Sequence, residues 1–290
     1  MSLYFYIIKG ELLLVSVIIP CRSSKENIEG LLKDLEAQEK HFDIEIIRID
    51  GVSPPGKARN LGAKRAKGEI FVFLDCDIRL GYNLFLNNLT RPLLENKDIG
   101  GVCASIRIPP GSSDFQLRYA REVPHSESSI VDVLTEVQVA SSACFAVRRE
   151  VFFEVGGFNE DIPRGEDSVI SYELRERNYS VLLVPYAWCY HPQPKNLREL
   201  IKTNFRNGLG SCFVDIFYPE LNLDIHPEGV TYFSQKKTFF ERVGRFILEI
   251  FKSILKMRIL LFLSKIFYIF GYLYGFFKFK IFRCQSLKRS

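Results

Sequence analysis

Ile70-Phe71-Val72-Phe73-Leu74 runs directly into Asp75-Cys76-Asp77, and this junction constrains the chain more than any other stretch. Five consecutive apolar residues, two of them β-branched and two aromatic, predict a strand covered on both faces. Open α/β sheets bind their ligands at the carboxyl ends of strands, which is where the two carboxylates fall. On an extended strand they would point to opposite faces, so the chain must turn after Leu74 to bring both to one ligand. Such a pair suits a hard divalent cation that clamps a phosphate-bearing substrate. As a bare pattern Asp-x-Asp recurs about once by chance in a chain of this size. Its position carries the argument, because two acids at the end of a buried strand are costly unless something binds them.

The flanking sequence supplies the rest of a sheet. Residues 15–20 read as a strand ended by Pro20, and Asn27 is placed to cap a helix whose Ile28, Leu31, Leu32 and Leu35 form one apolar stripe. Residues 44–50 read as a second strand ending in Asp50, and residues 57–67 as a short basic helix closed by Gly68. Strands and helices alternating at this spacing predict a parallel sheet with right-handed crossovers. Further helices are expected over 82–96, 166–178 and 197–215, with strands over 100–108, 137–147 and 179–191. Residues 109–123 lack a period and read as a mobile loop. Gly156-Gly157-Phe158 reads as a tight turn in conformations that glycine adopts cheaply.

Charge divides the chain in two. From Lys236 onward there are 13 Lys/Arg and two acids, a net of +11, so the residues before it carry −6 of the overall +5. The basic part is also aromatic. Val243, Phe246, Ile247, Ile250, Phe251, Ile254 and Leu255 share one helical face, opposite Arg245, Glu249, Lys252 and Lys256. Residues 259–277 follow with Lys265 as their one charge, at the lower limit for crossing a bilayer. This layout predicts a catalytic domain over residues 1–235 and a membrane-associating helical tail over 236–290, with residues 239–283 on the membrane surface. It does not predict a nucleic-acid binder. A spanning helix and one lying in the interface both fit, with Lys265 and Arg258 favouring the second. Lys9-Gly10-Glu11 interrupts the N-terminal apolar run, so no signal peptide is expected. The seven cysteines (21, 76, 103, 144, 189, 212 and 284) are scattered without a Cys-x-x-Cys pair, which argues for a reducing compartment and against a disulfide framework or zinc site.

Four segments, in order, resemble family 2 glycosyltransferases over about residues 15–210. They are residues 15–20, residues 44–50, Ala58-Arg59-Asn60-Leu61-Gly62 leading on to Asp75-Cys76-Asp77, and Gly156-Gly157-Phe158 followed by Gly165-Glu166-Asp167. The resemblance implies a GT-A fold: a Rossmann-like, mixed and mainly parallel sheet flanked by helices, joined to an acceptor-binding half. It implies inverting transfer from a nucleotide-sugar donor, with Mg2+ or Mn2+. Pro20, Cys21 and Arg22 would line the nucleotide pocket, Asp50 would meet the base, and Arg59 the base or phosphates. Asp75 would lie nearer the ribose and the metal's shell, with Cys76 also on the donor side; Asp77 would be the direct metal ligand within a set of Asp75, Asp77 and His191, and Arg206 would contact the diphosphate. The catalytic base falls within Glu166-Asp167, with Asp167 favoured.

Each role has a plainer competitor in the same residues. Asp50 could cap a turn, Arg59 could be a solvated helix charge, the Glu166-Asp167 pair could serve the helix dipole, and His191 could be a surface histidine. Where processive relatives carry Gln-x-x-Arg-Trp, this chain has Asn204-Phe205-Arg206-Asn207-Gly208, so a single transfer at the cytoplasmic face of the membrane, onto a lipid-linked or envelope glycan, is expected rather than polymerisation. Asp50-Gly51 keeps one acid where many relatives carry two. Two rivals stand beside this reading. One is a haloacid-dehalogenase-type phosphatase, which places Asp-x-Asp after its first strand. The other is a non-catalytic relative held at the membrane.

Overall fold

The computed structural model describes residues 7–8, 11–124, 126–221 and 239–286, which form two compact units. The first comprises Met1–Pro109, Glu127–Asp161 and Glu166–His191; the second comprises Pro110–Ser126, Ile162–Gly165 and Pro192–Ser290.

Besides a short antiparallel pair, Ile7–Ile8 with Glu11–Leu12, the strands of the first unit are β1 (Leu14–Cys21), β2 (Asp43–Asp50), β3 (Ile70–Leu74), β4 (Arg79–Leu80), β5 (Ile99–Arg107), β6 (Thr135–Glu136), β7 (Cys144–Arg148) and β8 (Ser180–Tyr190). They form one sheet in the order β2-β1-β3-β7-β5-β8-β4, with β6 on β8. β1 pairs in parallel with β2 and β3, and β5 with β8, while β7 runs antiparallel between β3 and β5. The carboxyl ends of β1, β2, β3, β5 and β8 therefore share one edge. The expected mixed, mainly parallel sheet is present. Pro20 lies inside β1 rather than ending it, since Pro20 is opposite Ile49 and Cys21 opposite Asp50.

All five residues of β3 are buried, and its alternation feeds two cores. Val72 and Leu74 pack with Leu31 and Leu35 of α1 (Glu29–Glu36) and Phe85, Leu86 and Leu89 of α3 (Phe85–Glu95). Phe71 and Phe73 face the other way, into Phe145, Phe152 and Phe158. Phe73 meets Phe158 edge-on with ring centroids 5.1 Å apart, and Phe71 meets Phe152 at 5.6 Å. Burying each such ring contributes about 1.5–3 kcal/mol, so β3 is a fixed platform for whatever its carboxyl end holds. The expected Asn27 cap is not made: Ile28 is the N-cap of α1, without a side-chain cap, and Asn27 one residue earlier instead forms an Asx turn, accepting from the Glu29 N–H at 2.9 Å.

Residues 109–123 are not a loop. They hold α4 (Asp114–Glu122), whose capping box joins the Ser113 hydroxyl to the Gln116 N–H and the Gln116 side chain to the Ser113 N–H. The strand expected over 137–147 begins only at Cys144. Gly156 and Gly157 have φ of +84° and +72°, as that turn requires.

The second unit is helical, with α4, α7 (Leu197–Phe217), α8 (Phe239–Leu255) and α9 (Ile259–Ser286). Helices α2 (Pro55–Arg65), α5 (Arg149–Glu154) and α6 (Glu166–Glu176) belong to the first unit. The division differs from a cut at residue 235, a position outside the described residues. α7 belongs with the tail helix because glycines let the two backbones touch. A Cβ at Gly208 would overlap the Tyr268 carbonyl, and one at Gly271 the Phe205 carbonyl. Gly271 and Gly275 form a Gly-x-x-x-Gly stripe of the kind that lets apolar helices approach closely. Glu122 caps α9, accepting from the Leu260 N–H at 2.7 Å.

Within α9, Ile259–Lys280 is long and apolar enough to cross a membrane by length and composition. Lys265, the one charge over residues 259–277, pairs with Glu249 of α8 and sits 4.8 Å above the Phe246 ring. Only part of the apolar face of α8 is used in this way. Ile247, Phe251, Ile254 and Leu255 remain 55–68% exposed.

Candidate active site

The turn after Leu74 forms as the sequence demands. The Asp75 N–H donates to the Ala143 carbonyl at 2.9 Å, and the Ile78 N–H closes a four-residue turn on the Asp75 carbonyl at 3.3 Å. The chain then enters β4, whose Arg79 and Leu80 pair antiparallel with Tyr190 and Cys189 of β8. That short ladder fastens the acidic turn to the end of β8. An irregularity between Leu183 and Trp188 re-registers β8 against β5, and the His191 N–H then bonds the Arg107 carbonyl at 2.9 Å.

His191 is thereby delivered between the two acids. Its Nε2 lies 3.7 Å from Asp75 Oδ2 and 3.6 Å from Asp77 Oδ1. Ligand atoms of all three lie within 4.8 Å of one another. Burial works against a charged imidazole, but the adjacent Asp75 and Asp77 carboxylates outweigh it and push the His191 pKa up to about 9. A positive charge is thus favoured at this point. Two carboxylates and an imidazole, with one flank open to solvent, fit a six-coordinate divalent ion such as Mn2+ or Mg2+.

Behind the turn stands Arg59 of α2, with only 3% of its side chain exposed. It donates to Asp75 Oδ1 at 2.7 Å, to the Ser142 carbonyl at 3.3 Å and to the buried Glu166 carboxylate. Its guanidinium lies 5.3 Å over the Phe158 ring, which itself rests on Phe73. Arg59 is therefore no solvated helix charge. Its neighbour Asn60 grips the glycine turn, donating to the Phe158 carbonyl at 2.7 Å and accepting from the Phe158 N–H at 2.9 Å.

Glu166 and Asp167 open α6 but have different surroundings. Glu166 is tied to Arg59. Asp167 accepts a long 3.4 Å bond from the Ser142 N–H. Burial and the neighbouring Glu166 charge raise its pKa to about 6, against the lowering influence of Arg59. Asp167 is the acid not bonded to Arg59, and its raised pKa suits proton transfer near neutral pH.

On the far side of the same edge, Asp50 forms an ion pair with Arg48 at 2.8 Å. Cys21, next to Pro20, ends β1, and the exposed Arg22 begins the following loop. Cys76 lies between the paired acids, its thiol bonded to Glu26 at 2.9 Å. Arg206 lies in the middle of α7, in the second unit. Asn60, Ser142 and Glu26 were not singled out from the sequence as site residues. Of these only Asn60 had a legible signal, as the residue next to Arg59 in the Ala-Arg-Asn stretch.

The glycosyltransferase-like family 2 profile matches residues 6–210. The chain belongs to this family. It is 25% identical over 236 residues to the pre-mycofactocin glycosyltransferase of Mycobacterium tuberculosis, covering 71% of this chain and 48% of that protein. It is 26% identical over 202 residues to the O-antigen chain rhamnosyltransferase RfbN of Salmonella typhimurium, covering 67% of this chain and 62% of that protein. A third relative, N-acetylgalactosaminyltransferase 6 of Drosophila melanogaster, is 28% identical over 166 residues, half of this chain and 24% of its own length. The chain thus spans at most about three-fifths of these curated relatives. Among solved structures, mannosyltransferase PcManGT from Pyrobaculum calidifontis, in complex with GDP-Man and Mn2+, superposes with a TM-score of 0.56 at 15% identity, over 90% of this chain and 86% of that one. That likeness shows the GT-A fold. The phosphatase alternative falls away: β3 is not the first strand of the sheet, and Arg79, two residues after Asp77, is committed to a bidentate pair with Asp34.

Proposed function

We propose that the chain is an inverting, metal-dependent glycosyltransferase. On this reading it moves one sugar from a nucleotide-sugar donor to a lipid-linked or envelope glycan at the cytoplasmic face of the cell membrane. The observation that supports it best is the convergence of Asp75, Asp77 and His191 beside the Arg59–Glu166 pair and Asp167. Mn2+ or Mg2+ held by Asp75, Asp77 and His191 would stabilise the charge of the departing nucleoside diphosphate.

The chain's own residues account for the remaining chemistry. Asp167 receives the proton of the acceptor hydroxyl as its oxygen attacks carbon 1 of the sugar. The electron pair of the cleaved C–O bond departs with the diphosphate. Arg59 holds Asp75 and Glu166 in place and thereby fixes the spacing between the cation site and the base. Pro20, Cys21, Arg22, Asp50 and Cys76 line the nucleotide side. The GDP-Man and Mn2+ in the Pyrobaculum mannosyltransferase accord with the donor class and ion but leave the sugar open.

The membrane assignment is supported by α8, where exposed Ile247, Phe251, Ile254 and Leu255 neighbour Lys252, Lys256 and Arg258. Bulky apolar and basic side chains so interleaved bind anionic membrane surfaces. The test is a donor screen with the full-length protein, Mn2+ and UDP-, GDP- and dTDP-sugars, reading nucleotide release. Release from one donor class, abolished by Asp167→Asn, is expected. Absence of release from every donor, together with intact cellular function of Asp167→Asn, would favour the non-catalytic relative instead.

A further inference from the structure

We infer a second cation site in the first unit, selective for thiophilic divalent ions such as Zn2+ and built from Cys21, Cys76 and Glu26. It goes beyond the transferase reading and does not depend on it. β1 and β3 are parallel neighbours with Ile18 opposite Phe73, so Cys21 and Cys76, each three residues further on, emerge side by side. The two thiols lie close enough to share one ligand. Cys76 Sγ also donates to Glu26 Oε2 at 2.9 Å. Ligand atoms of all three lie within 4.8 Å of one another, so the side chains need close by no more than about 1 Å to reach the ~3.8 Å ligand separation of a tetrahedral ion with Zn–S bonds of about 2.3 Å. Cysteines 55 positions apart in sequence carry no zinc signature, which is why spacing alone argued against such a site.

The cluster is held in place before any ion arrives. Cys21 closes a buried strand and is 2% exposed. Glu26 sits on a loop fastened from both sides. Its Oε2 accepts from the Arg22 N–H at 2.8 Å, and Arg48 Nη2 donates to the carbonyls of Ser24 at 3.0 Å and Glu26 at 3.2 Å. Two sulfurs and one oxygen leave a fourth position open. They also separate this site chemically from Asp75, Asp77 and His191, whose hard oxygens suit Mn2+ or Mg2+. Loading converts both thiols to thiolates and releases two protons to solvent. An ion there ties the loop after β1 to the turn that carries Asp75 and Asp77, a route by which zinc would act on the neighbouring site.

The test is a Cd2+ titration of the full chain in excess Mg2+, reading the ultraviolet thiolate-to-cadmium absorption. Saturation at one Cd2+ is expected. The band should persist in Asp77→Asn, disappear in Cys21→Ser and in Cys76→Ser, and need at least about tenfold more Cd2+ in Glu26→Gln, the effect that even an outer-shell partner exerts. Zinc X-ray absorption of the unmutated chain should give two sulfurs at about 2.3 Å and lighter atoms in the remaining positions. A band that survives in Cys76→Ser, or a zinc shell of nitrogen and oxygen alone, overturns the inference. Should either serine variant fail to fold, the zinc shell of the unmutated chain decides alone.

Discussion

Arg59 carries more of the site than any other side chain. It is buried, bonded to an acid on each side and seated on an aromatic ring, so both of its partners depend on it. Removing one member of such a buried pair leaves an uncompensated charge and typically costs 3–5 kcal/mol. Arg59→Ala should therefore lower the unfolding free energy by about that amount in a urea titration, besides losing turnover. Asp167 separates stability from chemistry. Asp167→Asn should cut transfer by about 10²–10⁴-fold while leaving nucleotide affinity and the melting temperature near those of the parent. Glu166→Gln, which weakens the bond to Arg59, should lower the melting temperature. The pH dependence follows from the sign of the Asp167 shift. Desolvation raises its pKa to about 6, and the base works only when ionised. Activity should climb as pH rises through about 6 and then level off, where an unshifted aspartate would already be fully active at pH 5. A rate profile with its acid limb near pH 4 would remove Asp167 from the role of base.

At the scale of elements, close helix contact is the feature with the sharpest consequence. α7 and α9 meet where Gly208 faces Tyr268 and Gly271 faces Phe205, with no room for a Cβ. Gly271→Val should lower the melting temperature of the second unit through a packing cost of roughly 1–3 kcal/mol, measurable by thermal scanning, whereas Gly244→Ala, in open space on α8, should not. Elements with a clean period were legible in the chain: β3 from its unbroken apolar run, α1 from its stripe, the glycine turn from its Gly156-Gly157 pair. α4 was missed because its signal is a cap and not a period. Ser113 and Gln116 stand three apart at its start, and no long apolar stripe follows them. The late start of β7 was hidden because Val137, Val139 and Ala140 lead into residues 144–147 as one strand-like run, although the backbone of 137–143 leaves the ladder to bond Asp75 and Ser171.

For the whole molecule, local sequence named the acids but not the geometry that unites them. The convergence of Asp75, Asp77 and His191 depends on the β4–β8 ladder, whose partners are about 110 residues apart, a separation no local pattern encodes. The mixed sheet itself was legible because alternating strands and helices leave few topologies open. The basic, aromatic tail was legible as composition, while its union with α7 was not, because it rests on glycines distant in sequence. The exposed residues of α8 make the membrane proposal testable without disturbing that union. The double variant Ile247→Glu, Phe251→Glu should keep its helical circular dichroism and lose at least about tenfold in binding to anionic vesicles, with residual binding that weakens further in salt. Undiminished vesicle binding would assign the face to another partner.

The central claim is that a cation on Asp75, Asp77 and His191 receives the nucleoside diphosphate. Calorimetric titration of UDP, GDP and dTDP into the full-length protein, with Mn2+ and again with EDTA, tests it most directly. One of the three should bind in Mn2+ at least about tenfold more tightly than in EDTA, and Asp77→Asn should abolish that difference. Equal affinity with and without the ion, or a Mn2+ effect that survives Asp77→Asn, would contradict it.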